Sequence, residues 1–513
     1  MSYKFNHFYE LISFQAQHHK NKVALFIEDE KITYKEILHA SDNLANFLSN
    51  QGVKKGDRVA LFLRNSKEFV YAMFAVSKLG AILVPINTFL KSEELSYILK
   101  DSGASFLIAS TLHEKVVNAS EANVLCNAIL WEGEVTKASA NQFSYAEVEN
   151  TSHLCKAEIL KLEDMAVYIY TSGTTGKPKA AMLSYKNIFS NASSGQRTIE
   201  VTKKDRFIVF LPMFHSFTFT IGVMLPLYVG ASLVIIPSVK PFSNIFKQVL
   251  TKRVTLFFGI PDVYTALAKA NLPWYFMWFN RVRAFVSGAA PLHAKTLNAM
   301  SKKFKRATLL EGYGLSEASP AVCMNTFEKQ KAGSVGTVLH GYELKIVDEQ
   351  MQEVACGSVG DIIFKGDNVM HGYLNRPHET EETIINGWLL TGDVGYIDEE
   401  GFLFIVDRKK DLIISKGINI YPREVEDVID TFEGVALSAV VGIKDENSGE
   451  IPVAYIELEE GTQALDEVAL KKYMRQHLAN YKIPKHLHMI DALPKNATGK
   501  VLKRQLKEKL SHA

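Results

Sequence analysis

Residues 170–179, YTSGTTGKPK, place hydroxyl, glycine and lysine residues together in one short loop. Gly173 and Gly176 permit backbone conformations in which successive amide groups point into one concavity, which suits anionic oxygens. The residues that add hydroxyl donors or positive charge are Thr171, Ser172, Thr174, Thr175, Lys177 and Lys179. The spacing is not that of a Walker A loop. The loop predicts phosphate binding, with a polar surface turn as the alternative.

Further short motifs follow this loop and contain residues that can bind a nucleotide. In chain order they are LPMFHSF (211–217), SGAAPL (287–292), EGYGLSE (311–317), TGD (391–393), DR (407–408) and PKNATGK (494–500). This ordered set resembles the adenylate-forming (AMP-binding) superfamily. Residues 401–426, GFLFIVDRKKDLIISKGINIYPREVE, are similar to its fatty-acyl-CoA synthetase branch.

The resemblance implies a ligase that uses ATP, Mg²⁺ and coenzyme A. In such enzymes a carboxylate attacks the α-phosphate of ATP to give acyl-AMP and pyrophosphate, and the acyl group then passes to CoA. Both reactants of the first step are anions, so the site needs cations and a fixed orientation of the two groups. An acyl-adenylate-consuming monooxygenase of the luciferase type is an alternative in another reaction class.

The resemblance also gives individual residues expected roles. Lys500 matches the catalytic lysine, whose compact charge can contact both the carboxylate and the α-phosphate. Glu317 and Thr171 match the metal site, and Asp393 matches the ribose site. The other residues matched to the nucleotide are Ser172, Gly173, Thr174, Thr175, Gly176, Lys177, Lys179, Gly288, Ala289, Glu311, Gly312, Tyr313, Gly314, Ser316 and Arg408. Glu311 stands where many members have Gln.

The acyl pocket is expected around the LPMFHSF motif. His215 resembles a second catalytic residue that moves between the half-reactions, and its alternative role is a buried structural histidine. The candidate pocket residues are Phe214, His215, Phe217, Ala290 and Gly312. This set offers no acidic partner for an amino-acid substrate, so we expect an apolar, fatty acid. An aryl acid is the alternative, because an apolar pocket tolerates both.

The elements around these motifs predict an α/β fold. Residues 57–63 are strand-like, residues 69–79 have helical periodicity and residues 81–85 are again strand-like. Asn65 and Glu68 have the spacing of a capping box ahead of the helix. A strand–helix–strand unit implies parallel pairing with a right-handed crossover. We therefore expect a large N-terminal α/β region with mostly parallel sheets.

The pattern changes near residue 395. A hairpin is predicted for 394–397 and 402–406, followed by a charged run at 407–411 and a small α+β region. We predict a large ATP- and acyl-binding domain over 1–407 and a small, mobile domain over 408–513. The resemblance implies that the small domain pivots about Lys410 and presents Gly417 to the CoA side.

Composition excludes several other classes of protein. The chain of 513 residues has 58 Lys+Arg and 56 Asp+Glu, a net charge of +2, which gives no support to nucleic-acid binding. Residues 207–239 lack charge, but prolines and glycines interrupt the run, so we expect buried strands and a helix instead of a membrane span. The N-terminus lacks the apolar core of a signal peptide, which favours the cytoplasm.

Residues 272–279, LPWYFMWF, are unusually aromatic. The ordinary interpretation is packing in the core or at a subunit contact, such as that of a homodimer. The alternative is peripheral contact with the inner face of a membrane, because Trp and Tyr favour the lipid–water boundary.

Overall fold

The computed structural model describes residues 3–135, 139–149, 154–171, 177–415, 418–445, 449–462, 464–496 and 499–511. The strands in these ranges are β1 (Val23–Ile27), β2 (Glu30–Thr33), β3 (Arg58–Phe62), β4 (Ile82–Pro85), β5 (Phe106–Ala109), β6 (Ala128–Trp131), β7 (Gln142–Ser144), β8 (Met165–Thr171), β9 (Lys179–Ser184), β10 (Arg206–Val209), β11 (Ser232–Ile235), β12 (Leu256–Gly259), β13 (Ala284–Ser287), β14 (Thr308–Gly314), β15 (Ala321–Met324), β16 (Thr337–Val338), β17 (Glu343–Val347), β18 (Gly360–Lys365), β19 (Ile384–Ile385), β20 (Trp388–Ile397), β21 (Leu403–Arg408), β22 (Ile413–Ser415), β23 (Ile418–Ile420), β24 (Val435–Asp445), β25 (Gly449–Leu458) and β26 (His486–Ile490).

The helices follow the same numbering along the chain. They are α1 (Phe8–His18), α2 (Tyr34–Asn50), α3 (Lys67–Lys78), α4 (Ser92–Ser102), α5 (Glu114–Ala119), α6 (Ala122–Leu125), α7 (Ala146–Glu149), α8 (Tyr185–Thr198), α9 (Leu225–Val229), α10 (Ser243–Thr251), α11 (Pro261–Lys269), α12 (Trp274–Phe279), α13 (Ala294–Lys303), α14 (Pro377–Thr383), α15 (Pro422–Ile429), α16 (Glu467–His477) and α17 (Lys503–Ser511).

Two large sheets form the N-terminal region. One has the order β16-β15-β14-β13-β12-β10-β11-β1-β2, and the other has the order β7-β6-β5-β3-β4-β8-β9. Strands β14, β13, β12, β10, β11 and β1 pair in parallel, and so do β7, β6, β5, β3, β4 and β8. The predicted α/β class with mostly parallel sheets is therefore confirmed. The carboxyl ends of β8, β13 and β14 carry the loops that contain the nucleotide motifs.

The first predicted strand–helix–strand unit is present as β3, α3 and β4, with β3 and β4 parallel. The predicted cap is wrong by one residue, because the Ser66 hydroxyl, not Asn65, accepts from the Phe69 amide. Asn65 instead donates to the Leu211 carbonyl at 2.9 Å and accepts from the Met213 amide at 2.9 Å. This long-range pairing outweighs the local cap and ties the loop after β3 to the start of the LPMFHSF motif.

The uncharged run 207–239 folds into several buried elements, as predicted. It contains β10, a π-helical stretch at Thr218–Met224 that continues into α9, and β11. Pro226 lies in the first turn of α9 and Gly230 ends that helix with φ +76°, whereas Gly222 lies within the π-helical stretch. Across the described ranges, none of the helices is both long and apolar enough to cross a bilayer.

A third sheet connects the large region to the rest of the chain. Its strands β17, β18, β20 and β21 pair antiparallel, and the β20–β21 hairpin is the one predicted near residue 395. The Asp398 carboxylate accepts from the Glu400 and Phe402 amides and so fixes the turn. The antiparallel pairing places Asp393 directly opposite Arg408.

The C-terminal part has its own sheet and core. The strand order is β23-β22-β25-β24, with β26 parallel to β25, and α15, α16 and α17 complete the unit. Its main core cluster includes Ile413, Val425, Val440 and Leu470. Asp466 caps α16 by accepting from the Val468 and Ala469 amides. The change from one sheet to the next falls between β21 and β22, beside the expected boundary after residue 407.

The aromatic segment 272–279 does not pack in the core as a whole. Phe276 is buried, but Trp274, Trp278 and Phe279 are 72%, 71% and 68% exposed. The core interpretation is therefore wrong for these three residues, because α12 turns a single aromatic side chain inward.

Candidate active site

A cavity of about 500 Å³ lies between the large N-terminal region and the C-terminal unit. Residues from the SGAAPL, EGYGLSE, TGD, DR and PKNATGK motifs reach it, although these motifs are separated by as many as two hundred residues in the sequence. The predicted residues that line it are Ala289, Ala290, Glu311, Gly312, Tyr313, Gly314, Asp393, Arg408 and Lys500. The cavity therefore brings together residues expected to bind the nucleotide, the ribose residue Asp393 and the catalytic residue Lys500.

Asp393 is the centre of the polar network in this cavity. Its Oδ2 accepts from the Tyr313 hydroxyl at 2.5 Å, and its Oδ1 lies 3.2 Å from Arg408 Nε. The carboxylate is buried, whereas Arg408 is partly exposed. Because a carboxylate has about four acceptor positions, it retains capacity for the hydroxyls of a sugar. This geometry suits the ribose role expected of Asp393.

The loop that carries Tyr313 depends on a glycine. A Cβ at Gly314 would lie 2.0 Å from the Pro320 carbonyl oxygen, so β14 and the returning chain can meet only without a side chain there. Burial and the neighbouring Asp393 carboxylate raise the pKa of the Tyr313 hydroxyl, which stays protonated as a hydrogen-bond donor. Tyr313 therefore has a fixed position beside the expected ribose site.

Lys500 enters the cavity from the C-terminal unit. Its amide donates to Asn496 Oδ1 at 2.9 Å. Burial, followed by the positive charges of Arg408 and Lys410, lowers the pKa of the Lys500 ammonium to about 7, while Asp393 opposes the shift. A desolvated cation beside other cationic groups is an arrangement that favours binding of a phosphate or carboxylate.

Contacts between the two parts of the chain hold Lys500 in place. Lys495 Nζ lies 2.8 Å from Asp262 Oδ2 in the first turn of α11. Gly499 has φ +77°, and a Cβ there would lie 2.8 Å from Ile260 Cδ1. His293 is 3.5 Å from Asp430, the residue that follows α15. In this orientation Lys495, Gly499 and Lys500 all line the cavity.

Glu317 lies in the turn immediately after β14 and accepts a hydrogen bond from the Tyr373 hydroxyl at 2.8 Å. Lys179 pairs with Glu379 at 3.2 Å and also lies over the Tyr373 ring. Clusters of three or more acidic, histidine or cysteine side chains suited to a metal are absent from the described part of the chain. A single carboxylate fits Mg²⁺, which keeps several waters and takes substrate phosphates as ligands. Glu317 would hold the ion together with the phosphates.

The rest of the phosphate motif is only partly described. Ser172, Gly173, Thr174, Thr175 and Gly176 lie outside the described residues, and so does Gly417. Thr171 ends β8, where its hydroxyl donates to the Lys179 carbonyl at 3.4 Å. Lys177 lies over the Tyr97 ring, at 5.3 Å. Lys410 lies in the short turn after β21, where burial and Arg408 lower the pKa of its ammonium.

The LPMFHSF segment lies beside the nucleotide motifs without lining the cavity. A Cβ at Gly288 would be 3.6 Å from Phe217 Cζ, and the Ser216 and Ser316 hydroxyls are 2.9 Å apart. His215 Nδ1 accepts from the Phe217 amide at 3.3 Å. Burial lowers the pKa of the imidazole to about 4, so His215 is neutral near pH 7. Phe214 is buried beside it.

Two further residues organise this site, and neither was assigned a role from the sequence. Tyr373 links Lys179 to Glu317, and the strand-like contacts of its segment with β9 position it there. Asp407 joins the two parts of the chain by accepting from the Arg408 amide at 2.7 Å and the Arg423 amide at 2.8 Å. The Asp407-Arg408 pair was visible in the sequence, but no sequence pattern indicated Tyr373.

Glu311 is an ionisable group that the fold buries almost completely. It is 6% exposed, and its Oε1 accepts from the Leu292 amide at 3.1 Å. Burial raises the pKa of the carboxyl to about 7, against the smaller opposing effects of that hydrogen bond and of Arg423. Folding therefore favours the protonated form of this side chain.

We predict that Glu311→Gln stabilises the protein at alkaline pH. The folded state holds a proton that the unfolded state releases above about pH 4.5, so stability falls as the pH rises to about 7 and the full penalty is present at pH 8. Gln can accept the same bond without charge, and we expect a gain of about 2 kcal/mol at pH 8 and much less at pH 5. Urea unfolding at both pH values measures it.

Glu349→Gln is the matched control, because Glu349 is exposed. An equal gain at both pH values, or an equal gain in the control, contradicts the burial argument.

The comparisons with known proteins agree with this geometry. Residues 12–374 match the AMP-binding enzyme family, and residues 424–500 match the AMP-binding enzyme C-terminal domain. The long-chain-fatty-acid–CoA ligase of Bacillus subtilis (strain 168) is 33% identical over 531 residues, covering 97% of this chain and 93% of that protein. Feruloyl-CoA synthase of an Amycolatopsis species is 34% identical over 481 residues, covering 93% and 94%.

A solved structure resembles the whole chain. The o-succinylbenzoate coenzyme A synthetase from Bacillus subtilis, in complex with ATP and magnesium ion, is 31% identical with a TM-score of 0.85, over 97% of this chain and 99% of that one. The chain therefore belongs to the AMP-binding enzyme family. Within this adenylate-forming family it is an ATP-dependent acid:CoA ligase, with magnesium as metal cofactor and CoA as co-substrate.

Proposed function

We propose that this ligase activates a fatty carboxylic acid as its acyl-adenylate and then transfers the acyl group to CoA. The observation that carries the proposal is the convergence of Lys500, Asp393 and Arg408 on one cavity beside an apolar LPMFHSF segment. The cationic groups suit the phosphate and the attacking carboxylate. The apolar segment suits the remainder of the acid.

In the first step a carboxylate oxygen attacks the α-phosphorus, and the bond to the bridging oxygen of pyrophosphate breaks. Mg²⁺, when bound, would neutralise part of the negative charge of the phosphates. Asp393 and Tyr313 fix the nucleoside, which removes much of the entropy cost of aligning the two reactants. Lys500 adds its charge where the two anions meet.

In the second step the sulfur of CoA attacks the acyl carbon, and the bond to AMP breaks. For this step we propose that the C-terminal unit rotates about Lys410, which withdraws Lys500 and presents the Gly417 side. Support for rotation comes from the interface: the Lys495–Asp262 pair is partly exposed, and such pairs contribute about 1 kcal/mol or less. The interface can therefore open at low cost.

The proposal of a fatty acid depends on the character of the candidate acyl residues. Phe214, Phe217, Ala290 and Gly312 carry no charge, and burial keeps His215 neutral near pH 7. A charged or strongly polar acid would be left without partners in such surroundings. The long-chain ligase of Bacillus subtilis supports this choice as a relative over nearly the full length.

An aryl acid is the second candidate substrate. Feruloyl-CoA synthase is as similar in identity to this chain as the long-chain ligase is. Aromatic side chains such as Phe217 pack against an aromatic ring as readily as against an alkyl chain.

A panel of acids separates the two candidates. We expect acid-dependent ATP–pyrophosphate exchange, followed by thioester formation with CoA, to rise along a series of straight-chain acids before it levels off. Each buried methylene contributes about 0.8 kcal/mol, close to a fourfold rise in kcat/KM. Exchange with benzoate or ferulate but not with the alkyl series would favour the aryl ligase. Exchange with none of these acids would overturn both.

A further inference from the structure

Helix α12 presents an apolar surface that the ligase reaction does not use. Trp274 and Trp278 are four residues apart, so they share one face, and Phe279 extends it. These side chains are 72%, 71% and 68% exposed, whereas Phe276 packs on Phe246 of α10 with ring centroids 5.4 Å apart. We call Trp274, Tyr275, Trp278 and Phe279 the aromatic patch. Large aromatic side chains concentrated in this way mark a binding surface.

The chain around the aromatic patch is strongly basic. Between Asp262 and Glu311 the sequence has eight Lys or Arg residues and no Asp or Glu, in a protein whose net charge is +2. Three of the eight, Lys269, Arg283 and Lys295, pair with Glu459 or Asp205 from elsewhere in the chain. Arg306 donates to the Met277 and Trp278 carbonyls and so lies against α12. Arg281 follows α12 directly, and both arginines are exposed. Within the described ranges, no carboxylate comes within 4.0 Å of either arginine.

We propose that the aromatic patch docks the enzyme on a lipid bilayer that contains anionic phospholipid. Indole and phenyl rings enter the boundary between headgroups and acyl chains, and the surrounding cations are attracted to the negative surface. A second copy of the chain fits less well, because a symmetric contact would bring two identical basic surfaces together. The positive charge around the aromatic patch therefore favours binding to an anionic lipid surface over self-association.

The patch lies close to the catalytic cavity along the chain. Helix α11 begins with Pro261 and Asp262, which line the cavity, and ends at Lys269, five residues before α12. Nine helical residues span about 14 Å, so the docked face is within one short helix of the cleft. Docking does not depend on the identity of the acid, so a wrong substrate assignment would leave the membrane proposal unaffected.

Flotation of the full chain with vesicles tests the proposal. Vesicles of phosphatidylcholine alone are compared with vesicles containing about 30% phosphatidylglycerol, at low and high salt. We expect binding to the anionic vesicles that weakens with salt, since exposed charges are screened. Trp274→Ala/Trp278→Ala should reduce partitioning at least tenfold, and Arg281→Gln about fivefold. Phe89→Ala, which removes an exposed aromatic ring elsewhere, should bind like the unmodified protein.

Acid-dependent pyrophosphate exchange in solution shows that each variant is folded, because none of the substituted residues lines the cavity. Failure of the unmodified protein to float with anionic vesicles overturns the proposal. Equal binding by Trp274→Ala/Trp278→Ala overturns it as well. A dimer in sedimentation velocity that this double variant dissociates, without vesicle binding, would make the aromatic patch a subunit contact instead.

Discussion

Lys500→Ala should lower the rate of acyl-adenylate formation by about 10² to 10³ while preformed acyl-AMP is still converted to the thioester. The charge of Lys500 is needed where the carboxylate meets the α-phosphate, and removing one such electrostatic contact costs about that factor. The second step starts from an adenylate already made, so the charge is no longer required. Acid-dependent pyrophosphate exchange and single-turnover thioester formation from acyl-AMP measure the two steps separately.

The lowered pKa of Lys500 allows a second test of its role in adenylation. At pH 8 an ammonium with a pKa of about 7 is mostly deprotonated, and the phosphates of ATP favour its protonated form. ATP binding by the unmodified protein should therefore take up a proton, seen as a dependence of the calorimetric heat on the buffer's ionisation enthalpy. Lys500→Ala should lose this uptake.

Two control variants make the result specific. Lys500→Arg keeps the charge and should retain part of the exchange activity. Lys509→Ala removes an exposed lysine from α17, the helix that follows Lys500 in the chain, and should change neither step. Equal loss of adenylation and thioesterification in Lys500→Ala would contradict the assigned role.

Sequence patterns were sufficient for the general fold because they record local periodicity. The alternation that predicted β3, α3 and β4 depends on buried apolar residues within each element. The cap of α3 was wrong because Asn65 contacts Leu211 and Met213, which are remote in the sequence. A capping pattern that considers only neighbouring residues cannot predict these long-range hydrogen bonds. Likewise, the exposure of Trp274 and Trp278 follows from which face α12 turns toward α10.

In the candidate site, too, some residues could be predicted from the sequence and others depend on the tertiary structure. The motif resemblance named Asp393, Arg408 and Lys500, and the structure places all three on one cavity. It did not indicate Tyr373, whose position depends on the segment that pairs with β9. The perturbed pKa values of Lys500 and Glu311 depend on burial between the two parts of the chain. Those quantities require the assembled fold.

Asp393→Ala should impair both half-reactions, in contrast to Lys500→Ala. The AMP moiety is bound in the adenylation step and again in the adenylate that CoA attacks, so its ribose contact is needed twice. The substitution also leaves the Tyr313 hydroxyl and the Arg408 guanidinium without their shared acceptor. Losing hydrogen bonds to a charged group costs about 3 kcal/mol, so kcat/KM for ATP should fall about 10² -fold.

The affinity of Asp393→Ala for AMP distinguishes a role of Asp393 in ribose binding from a structural role. We expect the dissociation constant for AMP to rise by about the same factor as kcat/KM for ATP falls, and Asp393→Asn to be intermediate because one oxygen acceptor survives. Glu399→Gln, an exposed acid in the turn of the same β20–β21 hairpin, should leave both values unchanged. An unaltered AMP affinity in Asp393→Ala, with thioesterification intact, would mean that the carboxylate only orders Tyr313 and Arg408. Asp393 pairs across the hairpin with Arg408, which lies two residues before the proposed pivot, Lys410. Such a result would therefore assign the network to domain orientation instead of ribose binding.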